Sequence, residues 1–192
     1  MRHATLTVIR DEHQALAAML RSLSMLLAHS RREGKSPDFG LLRAMLFYID
    51  EFPERLHHTK ESELLFPRLR ERCPELIPVL DALDADHEQG ERAIRRLEHA
   101  LLAFEMMGET RRADFEAAAE RYVSFYLAHM GTEESMILPA AEAHLLPEDW
   151  AELDAAFERN RDPLTGHEPD DEYRPLFTRI LNTAPAPIGL GG

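Results

Sequence analysis

The sequence predicts an all-α fold, an antiparallel four-helix bundle with a short C-terminal helical extension. Four long segments repeat their apolar residues with a period of about 3.6, and Gly and Pro breakers separate them by short connections, which favours antiparallel neighbours. Composition agrees. Hydrophobic residues make up 44% and charged residues 30% of the chain, the usage of a soluble helical protein, and strand signals are nearly absent.

The first segment runs from about Thr5 to Arg32, with Leu6, Ile9, Leu16, Leu20, Leu23 and Leu27 on one stripe, and ends at EGKSPD. The second follows the N-cap Asp38 and continues to about Arg72, where Cys73 and Pro74 close it. Pro53 lies inside it and should kink the helix or open one backbone carbonyl. The third runs from the Pro74 to Pro78 region to Met107, with Gly108 as C-cap. The fourth spans about Ala113 to His144. Beyond it, LLPEDW places Pro147 at the start of a shorter helix reaching about Arg159, and a last helical piece covers about Glu172 to Leu181. The 192 residues therefore divide into a bundle over 1–146, an extension over 147–183 and a tail, TAPAPIGLGG, whose 184–192 portion is expected to be disordered.

A formal net charge of -13 disfavours nucleic acid and anionic membrane surfaces, since both are bound through clustered Lys and Arg. The N-terminal MRHATLTVIRDEHQ has neither the apolar core of a signal peptide nor a span-length run, so a cytoplasmic location is expected. Cys73, the single cysteine, excludes an intrachain disulfide and any thiolate cluster built within one chain. Any metal must be held by nitrogen and oxygen.

An internal repeat carries such ligands. LLFP at 64–67 matches MILP at 136–139, an offset of 72, which sends His57 to His129 and Glu61 to Glu133. Upstream, the His13 that closes DEH matches the His87 that closes DADH, at an offset of 74. Each half thus contributes a lone His and then an HxxxE. On a helix, residues i and i+4 lie about 40° apart, so each His/Glu pair can reach one point. Both pairs share their stripe with apolar residues, Leu42, Leu46, Ile49 and Leu64 in one case and Tyr122, Tyr126 and Met136 in the other.

Taken singly, a core His is usually a hydrogen-bonded packing residue, and an HxxxE pair is more often a surface pair. The conjunction points elsewhere. Burying four imidazoles and two carboxylates without counter-charge costs many kcal/mol, and no Lys or Arg lies on the inner stripes. Two divalent metals would supply that charge, bridged by the two glutamates. Imidazole with carboxylate suits iron, and manganese or zinc as alternatives.

RDEHQAL, HHTKESELLFPRL, DADHEQG and HMGTEESMILP together resemble the hemerythrin family, in its bacterial HHE cation-binding branch, over about residues 5–144. The resemblance implies a non-haem di-iron centre in the bundle, with Glu61 and Glu133 as bridges and His13, His57, His87 and His129 as terminal ligands. It departs from the oxygen carriers at Glu91, which stands where they have a second His one turn after the lone His of the third helix. Glu91 is therefore a carboxylate ligand, an acceptor for an imidazole N–H, or a solvated residue beside Arg92. His58 points about 100° away from His57, toward Phe47, Glu51 and Leu65, and either coordinates metal or supports a ligand. A ferritin-type site, suggested by ERLH and DADH, fails because YLAH before His129 lacks the acid. His3, His29, His99, His144 and His167 fall outside the repeat and read as surface residues; Glu63 and Glu134 read as solvated.

The resemblance further implies a protein that binds O2 or another small diatomic such as NO, in oxygen or iron sensing or in the response to oxidative or nitrosative stress. Tyr122 or Tyr126 can donate a hydrogen bond there or simply pack. The enzymatic alternative is a di-iron peroxidase, with peroxide as its partner, or an iron-centre repair protein, though repair proteins carry an additional cysteine-containing domain.

Overall fold

The computed structural model describes residues 3–190, the side chain of Glu54 apart, and is all-helical, with no β-strand among the described residues. Its helices are α1 (Ala4–Glu33), α2 (39–72), α3 (Ile77–Met107), α4 (112–144), α5 (Pro147–Phe157) and α6 (Arg174–Thr183). Local chemistry sets the ends. Gly34 stops α1 in the left-handed region at φ 62°, where its N–H bonds Arg31 O and Lys35 N–H reaches Ser30 O. The Asp38 carboxylate starts α2 by accepting from Leu41 N–H at 2.9 Å.

Three prolines widen the helices, two of them at corresponding places in the repeat. Pro53 has no N–H to give, and the ladder over Asp50–His57 slips to π-helical spacing, with His58 N–H donating to Pro53 O. Pro67 and Pro139 do the same to Glu61–Leu65 and Glu133–Ile137, where Phe66 and Leu138 donate to the carbonyls of Glu61 and Glu133 themselves. The LLFP and MILP strings are thus the sequence trace of two wide turns that begin on the repeated glutamates.

Helix α1 packs on α2 and α4, and α3 packs on the same two from the other side, while α5 lies on α1 and α6 on α2. The interior is apolar at both ends. One cluster holds Leu20, Leu23, Met45, Tyr48, Leu97, Phe104 and Phe115; the other holds Ile9, Leu65, Phe66, Leu80, Ile137 and Leu138. Between them, one layer along all four long helices is polar, and it contains the repeated His and Glu residues.

The C-terminal region is more closely tied in than expected. Trp150, Leu153 and Phe157 of α5 complete one apolar cluster, and Phe177, Ile180 and Ala184 complete the other. The tail was expected to be disordered, yet Ser22 Oγ donates to Pro185 O at 2.9 Å and accepts from Ile188 N–H at 3.3 Å, while Ala184 is fully buried. Apolar Ala184 and Ile188 give this Pro-rich stretch something to bury. Met1, Arg2, Gly191 and Gly192 lie outside the described residues. Among those described, no helix is long and apolar enough to cross a membrane.

A second buried polar pair links the bundle to the segment after α5. Tyr48 OH donates to Asp162 Oδ2 at 2.6 Å, with both residues almost fully buried. Burial pushes the Asp162 carboxyl up to about 6, with Glu12 adding to the rise, against the hydrogen bonds from Tyr48 and Leu164 N–H and the opposing charge of His57. The folded protein therefore holds this proton more tightly than the unfolded chain, so this group favours folding at low pH and the advantage is lost as pH rises through about 6. Asp162→Asn removes the titration. In urea denaturation at pH 5 and pH 8, the variant should gain on the wild type toward pH 8, by about 1.4 kcal/mol; a difference constant with pH would contradict the shift.

Candidate metal centre

Seven residues of the polar layer converge. His13, His57, Glu61 and Glu133 each bring one ligand atom within 4.8 Å of the others, and His58, His87 and His129 form a second set on the same criterion. Exposure of these side chains does not exceed 9%, so water is largely excluded.

The two glutamates lie between the sets. Glu133 Oε2 is 3.3 Å from His13 Nε2, and its Oε1 is 3.3 Å from His129 Nε2 and 3.7 Å from His87 Nε2. Glu61 Oε2 is 3.2 Å from His57 Nε2 and 3.7 Å from His87 Nε2. Each carboxylate therefore touches imidazoles of both sets, as a bridge must.

None of these contacts is a hydrogen bond. Both oxygens of Glu61, both oxygens of Glu133, His13 Nε2 and His57 Nε2 are buried without a hydrogen-bond partner. A buried polar atom left unsatisfied costs about 1–3 kcal/mol, and more when charged, so six such atoms in one place call for a ligand. His87 Nε2 and His129 Nε2 face each other at 3.1 Å, a distance at which two lone pairs repel unless a cation or proton lies between them. No Lys or Arg forms an ion pair with these seven residues among those described.

The far nitrogens are held as metal-ligating imidazoles require. His57 Nδ1 lies 2.7 Å from Glu12 Oε2, His13 Nδ1 3.1 Å from Glu134 Oε1 and His129 Nδ1 3.4 Å from Asp86 Oδ2. Ser62 Oγ donates its proton to Asp84 Oδ1 at 2.6 Å, so it can only accept from His87 Nδ1 at 2.8 Å. Each of the four partners is an acceptor toward imidazole, which keeps a proton on Nδ1 and turns Nε2 toward the glutamates. These supports obey the repeat too. Glu12 and Asp86 each precede the lone His at the offset of 74, and Ser62 and Glu134 each follow the HxxxE glutamate at the offset of 72.

Charge follows the geometry. Burial works against protonation of His57, but Glu61 and Glu12 outweigh it and hold its pKa well above the ordinary value. His13, beside Glu133 and Glu134, and His129, beside Glu133, are raised for the same reason. Burial would raise the Glu133 carboxyl, yet the imidazoles of His129, His13 and His87 hold it well below the usual range. His58 goes the other way: burial together with His87, His57 and His129 keeps it neutral, the form in which imidazole binds metal.

Several sequence expectations need correction. His58 does not turn toward the exposed Phe47; it is buried, stacked on His87 with centroids 4.3 Å apart, because the wide turn over Asp50–His57 rotates it inward. Glu91 takes no part: its side chain is 53% exposed and lies 3.6 Å from Arg95 Nη2. The residue one turn after His87 is thus not among those that converge, and His58 from α2 supplies the third imidazole of that set. Glu134, read as solvated, contacts His13, whereas Glu63 is exposed as expected. Met136 is 43% exposed, since the wide turn carries it out of the inner stripe. His3 stacks on Trp150 at 3.9 Å, while His29, His99, His144 and His167 are exposed. Tyr126 is buried and packs parallel to His58 at 5.6 Å.

The acids behind the imidazoles differ in burial, with Glu12 at 9% and Glu134 at 49% side-chain exposure. Glu12→Ala should therefore weaken divalent-metal binding by about 10- to 100-fold in calorimetric titration, and Glu134→Ala only a few-fold, because water replaces its oxygen. Equal losses would show that burial does not set the strength of these supports.

The geometry is matched by comparison with known families. The model of the hemerythrin HHE cation binding domain matches residues 4–141, more than half of the chain. The match covers all seven converging residues and ends before α5. No curated protein matches the chain. With the repeat, the buried ligand sets and the family model in agreement, the chain belongs to the hemerythrin HHE cation-binding family.

Proposed function

We propose that this protein is an antiparallel four-helix bundle holding a non-haem di-iron centre that binds O2 or a related small diatomic such as NO. One observation carries the reading: six buried ligand atoms on four residues lack any hydrogen-bond partner and face one another across a gap of a few ångströms. Mixed imidazole and carboxylate donors fit iron best, with manganese or zinc as alternatives.

In this reading His58, His87 and His129 hold one ion, His13 and His57 hold the other, and Glu61 and Glu133 bridge. Such an arrangement would offer three imidazoles to the first ion and two to the second, so the His13/His57 side would have more room for an exogenous ligand. Two reduced irons would supply electrons to the bound ligand. The chain's own part is to orient and to exclude. Glu12, Glu134, Asp86 and Ser62 fix the imidazole rings, and two apolar clusters close the layer above and below. With ligand side chains at most 9% exposed, the centre admits a diatomic and excludes a bulky substrate. A location in the cytoplasm and a role in oxygen or iron sensing or in stress response are consistent with that selectivity.

Metal analysis of untagged protein from iron-replete expression should give two transition-metal ions per chain, and fewer than one would defeat the proposal. Glu61→Ala combined with Glu133→Ala should abolish dinuclear binding while circular dichroism stays helical; retention of both ions would refute the bridging roles. For the ligand, reduced protein exposed to air should develop a visible absorption band that degassing reverses. Steady consumption of added peroxide without such a band would instead favour the peroxidase alternative.

A further inference from the structure

The support behind His57 does not end at Glu12. Asn160 Nδ2 donates to both Glu12 oxygens, at 2.8 Å to Oε1 and 3.0 Å to Oε2. Its Oδ1 in turn accepts from Lys60 Nζ, on the same helix as His57 and Glu61. Asn160 is 4% exposed, so water does not substitute for these bonds. Its neighbour Phe157 presents a ring edge-on to His57, with centroids 6.4 Å apart.

The counterpart in the other half of the repeat is held more loosely, and Asn160 is not near it among the contacts of the described residues. Asp86, the equivalent of Glu12, is 35% exposed and lies 3.4 Å from His129 Nδ1, against 2.7 Å for Glu12 and His57. Asn160 also lies beyond residue 141, where the family match stops. The segment after the bundle thus reaches one metal set and leaves its pseudo-symmetric mate alone.

We infer that Asn160 is a positioning residue for the metal centre: through Glu12 it holds His57, and so the C-terminal segment tunes the ion bound by His13 and His57 separately from the ion bound by His58, His87 and His129. The inference rests on the dinuclear reading above. Its physical basis is that a buried carboxylate with both oxygens occupied by a fixed amide cannot swing away from Nδ1, so the imidazole enters metal binding already oriented. It also assigns a task to residues the bundle alone would not require.

The test is a titration of metal-free full-length protein with Co(II), followed by visible absorption and calorimetry. Two binding steps are expected in the wild type, and the step lost in His13→Ala marks the His13/His57 ion. Asn160→Ala should weaken that step about tenfold, at the low end for residues supporting a metal ligand, and the other step less than about twofold. Adding Asn160→Ala to Glu12→Ala should change nothing more, since Asn160 acts through Glu12. Leu153→Ala loosens the packing of α5 within its apolar cluster and leaves the hydrogen bonds to Glu12 in place; it should lower the melting temperature and keep the ratio of the two affinities. Two intact steps in the wild type with equal losses, or none, in Asn160→Ala would overturn this inference alone. A wild type that takes up no cobalt would overturn the dinuclear reading and this inference with it.

Discussion

The structure is organised around two carboxylates, Glu61 and Glu133, both wholly buried at the middle of the bundle. A buried carboxylate with no partner is among the most expensive features a fold can carry, and the chain does not relieve it with Lys or Arg. It surrounds the pair with five imidazoles instead. The carboxylates beside His13, His57 and His129 favour the protonated forms of these three against the cost of burial, whereas buried His58, facing other imidazoles, stays neutral. The same arrangement is what makes the layer a receptor for divalent cations. Proton and metal compete for the same nitrogen atoms, and a metal satisfies several of them at once.

Helix geometry makes that layer possible. A regular α-helix places neighbours about 100° apart, which would send either His57 or His58 out of the interior. The π-helical stretch enforced by Pro53 lets both face inward, each to a different set. The wide turns before Pro67 and Pro139 begin on Glu61 and Glu133, so the backbone is locally loosened where these two side chains meet the imidazoles. The halves are then not equal. The repeat alone would place two imidazoles in each set, and the extra His58 makes the sets three and two.

The C-terminal helices extend the same logic outward. Helix α5 adds Trp150 and Phe157 to the apolar cluster on one side of the layer, and Asn160 reaches the back of His57 through Glu12. Polar residues so deeply buried are rarely neutral in their effect, because each unsatisfied atom would be costly. Tyr48 with Asp162 and Asn160 with Glu12 tie this segment to the bundle by two separate buried contacts.

Much of this was legible from residues alone. The helical pattern, the breakers at Gly34, Pro74 and Gly108, and the converging residues His13, His57, Glu61, His87, His129 and Glu133 are local in sequence and periodic, so spacing reveals them. The supporting Glu12, Asp86, Ser62 and Glu134 could have been found by carrying the same offsets one residue further. What no spacing could show was the inward turn of His58, the outward turn of Glu91 and Met136, and the reach of Asn160. The first and last of the turns depend on slips in the hydrogen-bond ladder, which regular helical phase does not describe. Asn160 depends on a contact across 148 residues of chain with Glu12, which is set when α5 packs on α1 and not before. Sequence determined which chemistry could be buried, because that is written in residue type and period; the tertiary structure decided how the converging side chains divide into two sets, because that depends on where each helix locally widens and on what packs behind it.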